Sequence, residues 1–162
     1  MSNTVTVTTP SDLEIVISRR VDAPRAMVWE AMNKPELLKQ WLLGPPGWEM
    51  AVCENDLRVG GSFRHLWRQE DGAELAMHGE YREVAPLERT VRTVVFDIGC
   101  EPQSHGQVVT MELTELEGTT TVTITVVYPS KEARDGMLAS GMEQGVAASY
   151  DRLEALITST HG

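Results

Sequence analysis

Val109-Thr110-Met111-Glu112-Leu113-Thr114 and, after Glu117-Gly118, Thr121-Val122-Thr123-Ile124-Thr125-Val126-Val127-Tyr128 decide how this chain is read. Apolar side chains alternate with threonine or glutamate in both runs. That period of two belongs to β-strands with one face on a core and the other in water, and it marks an antiparallel sheet.

Toward the C-terminus, Pro129-Ser130 ends the second run and Ser130 caps a short helix over Lys131 to Leu138. Gly141 separates it from a longer helix, about Met142 to Thr158. There Met142, Val146, Tyr150, Leu153 and Ile157 form one apolar stripe. Gly145, Ala147, Ala148 and Ser149 are small, which either allows close packing on a sheet or leaves space beside it.

Toward the N-terminus, Thr90 to Asp97, Leu75 to Val84 and Ser62 to Gln69 read as further strands, with Asp71-Gly72 as a turn. Phe63, His65 and Trp67 alternate with Arg64, Leu66 and Arg68. Glu49 to Cys53 reads as a short edge strand, and Gly99 to Gly106 as a polar loop. Leu13 to Val21 is a β-branched first strand stopped by Asp22-Ala23-Pro24. Met27, Val28, Ala31 and Met32 then recur at helical spacing until Asn33-Lys34-Pro35, after which residues 35–41 begin a second short helix.

The order is one strand, two short helices, several strands and one long helix. It predicts an α+β fold with a curved antiparallel sheet of about six to seven strands wrapped around the C-terminal helix. Residues 1–12 are expected to be a flexible N-terminal segment and 13–158 a single domain. With 162 residues, 41% hydrophobic and 23% charged, the composition is that of a soluble globular protein. The net charge of −10 argues against nucleic acid as a partner, which needs a cationic face. Residues 1–10 lack the pattern of a signal peptide, and no apolar run is long enough to insert in a membrane, so a cytoplasmic location is expected. Cys53 and Cys100 have no CxxC spacing and read as reduced thiols.

One segment resists regular structure. Trp41-Leu42-Leu43-Gly44-Pro45-Pro46-Gly47-Trp48 sets two indoles beside a Gly-Pro-Pro-Gly turn, and Asp56-Leu57-Arg58-Val59-Gly60-Gly61-Ser62-Phe63 closes it. Large rings on irregular backbone suit the wall of a pocket, which is mostly apolar with a few placed polar groups.

These residues also carry a resemblance. Val21-Asp22-Ala23-Pro24, Val28-Trp29, Pro35-Glu36-Leu37-Leu38-Lys39-Gln40-Trp41 and Gly44-Pro45 look like the N-terminal signature of a known family. Asp56 to Gly61, His78-Gly79-Glu80-Tyr81-Arg82-Glu83-Val84, Pro86 to Arg89, Gly141 to Gly145 and Ser149-Tyr150-Asp151-Arg152-Leu153 continue it. The chain resembles bacterial proteins related to the C-terminal domain of the Hsp-90 ATPase activator, within the helix-grip START superfamily. That resemblance implies a hydrophobic cavity between sheet and last helix, holding a lipid or an aromatic, polyketide-like molecule. It also offers two alternatives: a chaperone partner whose ATPase is stimulated, or a cyclase or hydrolase in the same cavity. Relatives often carry paired tryptophans where this chain has Trp41-Leu42, and Trp where it has Val146.

The residues expected to line the cavity are Trp41, Trp48, Phe63, His65, Trp67, Tyr81, Phe96, Met111, Met142, Val146 and Tyr150. His65 and the two tyrosine hydroxyls would orient the ligand. His65 is the candidate general base; His78 and Glu80, two apart on one strand, read as an outward pair. His65, His78 and Cys53 are scattered without metal-ligand spacing, no Ser-His-Asp elbow occurs, and Gly60-Gly61 lacks the lysine of a phosphate loop. No cofactor, metal site or catalytic residue is expected; the oligomeric state is left open.

Overall fold

The computed structural model describes residues 5–42, 47–97, 107–139 and 142–161, the side chains of Phe96, Asp97, Met142 and residues 158–161 excepted. In chain order the elements are β1 (Thr6–Thr8), β2 (Glu14–Val21), α1 (Arg25–Asn33), α2 (Pro35–Trp41), β3 (Trp48–Asn55), β4 (Ser62–Gln69), β5 (Glu74–Ala85), β6 (Arg89–Asp97), β7 (Gln107–Leu116), β8 (Thr119–Val127), α3 (Lys131–Ala139) and α4 (Met142–His161). The strands form one antiparallel sheet in the order β1-β2-β8-β7-β6-β5-β4-β3. The α+β architecture is as expected, with eight strands in place of six to seven. The additional strand is β1, whose Thr6–Thr8 pair with β2 inside the segment expected to be flexible. Three residues of alternating polarity at a chain end are too short a signal for periodicity to reveal.

The β7–β8 hairpin forms as its pattern dictates. Leu116 pairs with Thr119 across Glu117 and Gly118, whose φ angles of +54° and +81° are those of the two-residue turn that matches strand twist. The inner faces of β2, β7 and β8 carry Ile15, Ile17, Val21, Met111, Leu113, Val122 and Val126, all buried. Tyr150, Leu153 and Ile157 of α4 cover part of that surface together with Trp29 and Leu38 of the short helices. By contrast, Gly145 lies on the exposed side of α4 with open space where a Cβ would stand, so its smallness serves no close approach.

One interior cation helps fix α4 on the sheet. Arg19 continues the inward row of Ile15 and Ile17 and is 5% exposed. Its guanidinium donates to Asp151 at 2.8 Å and to Glu154, one turn apart on α4. Burial alone would push its pKa down, but the hydrogen bonds and charges of Glu154 and Asp151 outweigh burial and raise it.

The two short helices have no side-chain cap at their N-termini. Their C-terminal carbonyls are met by donors from elsewhere: Asn55 Nδ2 of β3 to Asn33 O (2.6 Å), Arg152 Nε of α4 to Trp41 O (3.1 Å) and Trp67 Nε1 of β4 to Leu42 O (2.9 Å). Trp41 Nε1 donates to Ala31 O at 2.8 Å and ties α2 to α1.

Candidate functional site

The expected site residues divide between two neighbouring apolar clusters. Trp41, Met111 and Tyr150 belong to the core beneath α4, where the Trp41 and Tyr150 rings stack with centroids 6.0 Å apart. Val146 packs at the margin of this core and of the one around Ile15 and Tyr128. Phe63, Trp67 and Tyr81 form the second cluster with Met50, Met77 and Val94, on the concave face of β3–β6, and half-buried Trp48 packs against it. Among the described residues, no α4 side chain joins this second cluster. The side chains of Phe96 and Met142 lie outside the described residues, as does Cys100.

Strand period explains the second cluster. Phe63, His65 and Trp67 point inward from β4, while Arg64 and Arg68 are exposed on the other face. The imidazole of His65 stands edge-on between its neighbours, 5.4 Å from Phe63 and 5.7 Å from Trp67. It is 1% exposed, and neither ring nitrogen has a hydrogen-bond partner. Burial first, and the charge of Arg92 second, push its pKa down to about 3. At neutral pH the ring is therefore uncharged, with one donor and one acceptor unused. Cys53 sits directly opposite His65 in the β3–β4 register, yet the two make no thiol–imidazole hydrogen bond. Burial raises the Cys53 pKa despite opposing pulls from Lys39 and Arg92, so the thiol is not an activated nucleophile.

Three residues missed by the sequence reading complete this face. Arg92 of β6 lies opposite Tyr81 of β5 and Val109 of β7, with its guanidinium carbon 4.2 Å from the centre of the Phe63 ring. Asn55 accepts from the Tyr81 hydroxyl while its amide holds Asn33 O. Gln107 is buried at the start of β7, opposite Val94. Burial raises the Tyr81 pKa, with Arg92 and Asn55 pulling against it. The structure gives Arg92 the inward parity of Thr90 and Val94, both buried, which the sequence of β6 alone does not mark.

His78 and Glu80 are exposed, as their spacing suggested, on the outer face of the sheet. They help line a groove of about 630 Å³ with Glu54, Arg64 and Thr93. His78 therefore does not share a compartment with His65. A second groove of about 480 Å³ runs along the β3–β4 edge beside Trp48 and Arg68. No three His, Cys, Asp or Glu side chains converge as metal ligands among the described residues, and no described helix is long and apolar enough to cross a membrane.

Solved structures place this architecture among known proteins. A protein from Rhodobacter sphaeroides superposes with a TM-score of 0.88 at 26% identity, covering 96% of this chain and 99% of its own. One from Mycobacterium smegmatis gives 0.83 at 28%, with coverages of 97% and 99%. A protein from Aeromonas hydrophila described as AHSA1-like shares the fold at 23% identity, with a TM-score of 0.69 and coverages of 87% and 93%. None of the curated proteins matches the chain. The family model described as Activator of Hsp90 ATPase homolog 1-like protein matches residues 22–158, from the end of β2 into the last turns of α4. The chain belongs to that family, within the helix-grip superfamily.

Proposed function

We propose that this protein binds a small hydrophobic molecule against the concave face of β3–β6, with Phe63, His65, Trp67 and Tyr81 as its wall and Trp41, Met111 and Tyr150 bordering it from the α4 side. Helix-grip proteins of this kind typically bind hydrophobic ligands, which supports the reading. The observation that carries it is His65. A fold under selection for stability alone has no use for an imidazole whose two nitrogens go unpartnered among aromatic rings, at a cost of about 1–3 kcal/mol for each group. A ligand with one polar atom on an apolar body would satisfy that group and extend the aromatic contact.

The same residue argues against acid–base catalysis as the primary role. An imidazole with a pKa of about 3 is a weak base at neutral pH, far from the match that efficient proton transfer requires. The alternative of stimulating a chaperone ATPase draws its support from the family description.

Native mass spectrometry of the purified protein, with a thermal-shift screen of fatty acids, alcohols and polycyclic aromatics, tests the proposal. A ligand present at about 100 times its dissociation constant should stabilise the protein by about 2.7 kcal/mol, a rise in Tm of roughly 5–10 °C for a chain of this size. If nothing co-purifies and no compound moves Tm, the binding reading is wrong.

A further inference from the structure

We propose that the ligand is an acid: a single carboxylate on an apolar body, gripped by the Arg92 guanidinium beside Tyr81. This deepens the reading of the concave face as a ligand site and rests on it.

The comparison that carries the proposal is between Arg19 and Arg92, both on the inner face of the sheet. The fold sets two carboxylates, Asp151 and Glu154, on the Arg19 guanidinium. Arg92 projects from the same concave face, is half-buried and lies over the Phe63 ring. Among the described residues no carboxylate comes within 4.0 Å of it. A cation withdrawn from water without a counter-charge is costly, and a ring face offsets only part of that cost. The field of Arg92 also spreads through the compartment. It acts on His65 and Cys53 from within the sheet, on Tyr81 beside it, and on Tyr150 across on α4. A lone cation thus stands over the apolar wall inside a protein whose net charge is −10.

The chemistry selects the anion. A guanidinium stays charged at any physiological pH and presents paired N–H donors that match a planar carboxylate. One cation balances one negative charge, whereas a phosphate monoester would bring a second that no described group offsets. The Tyr81 hydroxyl donates to Asn55 and accepts from Arg92, which steadies the guanidinium beside the ring. The unpartnered nitrogens of His65 then serve a further polar atom of the ligand body.

The test compares acids with alcohols of the same body: 2-naphthoate with 2-naphthol, and dodecanoate with dodecanol. They are titrated at neutral pH into the full chain and into Arg92→Gln and Arg92→Lys, by calorimetry or tryptophan emission. In the wild type at least one acid should bind ten or more times tighter than its alcohol. Arg92→Gln should erase that preference, the acid losing about tenfold more affinity than its alcohol, and Arg92→Lys should keep part of it. Circular dichroism checks the fold of both variants; should Arg92→Gln not fold, the wild-type ratio and Arg92→Lys decide. Alcohols that bind as tightly as acids to the wild type overturn the anion assignment and leave the apolar site standing. An acid preference that survives in Arg92→Gln also overturns it. If no acid and no alcohol binds, both the anion assignment and the binding reading fall.

Discussion

Gly79→Ala should unfold this protein at markedly lower denaturant, with a loss of at least about 3 kcal/mol, among the largest effects expected of any single methyl group here. A Cβ at Gly79 would stand 1.8 Å from Thr93 O, 2.6 Å from its carbonyl carbon and 3.0 Å from Phe63 Cε1. The first two atoms are backbone of β6, so no side chain can swing aside. β5 and β6 are creased at this point. The Glu80 amide donates to the Thr93 hydroxyl at 3.0 Å, and the register slips by one residue between Tyr81 and Glu83. A methyl group would force the strands apart and displace Phe63, so binding at the proposed site should weaken with stability. Gly145→Ala is the control. Its Cβ meets open space on the exposed side of α4, and the change should stabilise by about 0.5–1 kcal/mol through helix propensity. Urea titrations of both variants decide the matter. A Gly79→Ala protein within 1 kcal/mol of wild type would mean that β5 and β6 do not approach this closely.

His65→Leu should produce the opposite result, a protein more stable than wild type and less sensitive to acid. Leucine fills a similar volume and removes two buried polar atoms that lack partners, a gain of about 1–3 kcal/mol at pH 7.5. The pH dependence follows from the depressed pKa. In the folded protein the imidazole titrates near 3, because burial and then Arg92 disfavour its charged form. In the unfolded chain it titrates near 6.5. Between those values the unfolded state binds more protons, so stability rises with pH. The contribution of His65 is complete above about pH 6.5 and is lost progressively as the pH falls toward 3. By pH 5 the loss is about 2 kcal/mol. The gap between His65→Leu and wild type should therefore widen by that amount from pH 7.5 to pH 5, measured as the difference in unfolding free energy. A gap that stays constant over this interval would show that the ring is already charged or solvated in the folded protein. If the binding proposal holds, the stabilised variant should also bind its ligand less well, the trade-off expected of a group kept for function.

Much of this fold could be read in the chain because β7 and β8 each bury one face and wet the other, which fixes both element type and orientation. The parity of β6 could not be read that way. In Thr90-Val91-Arg92-Thr93-Val94-Val95, either alternate set looks equally fit for a core, so nothing in the strand itself says whether Arg92 faces in. Pairing with Val109 and Tyr81 settles it, and those contacts are distant in sequence. Arg19 was hidden for a similar reason: its two carboxylates lie on α4, more than a hundred residues away. His65 was legible through its position between Phe63 and Trp67. The separation of Trp41 from Phe63 was not, because adjacency to a Gly-Pro turn says nothing about which of two clusters an indole enters.

The carbonyl ends of α1 and α2 carry a consequence for the order in which the molecule assembles. Helices of nine and seven residues without N-terminal side-chain caps have little tendency to form alone. Three donors that finish them come from β3, β4 and α4, so the α1–α2 helical hairpin locks only against those elements. The expected order is therefore sheet and C-terminal helix first, with the α1–α2 pair closing over them last. Substitutions at Ala31 or Leu38 should speed unfolding while leaving the folding rate nearly unchanged. A rate-limiting nucleus within the hairpin, seen as slowed folding in those variants, would reverse that sequence of events.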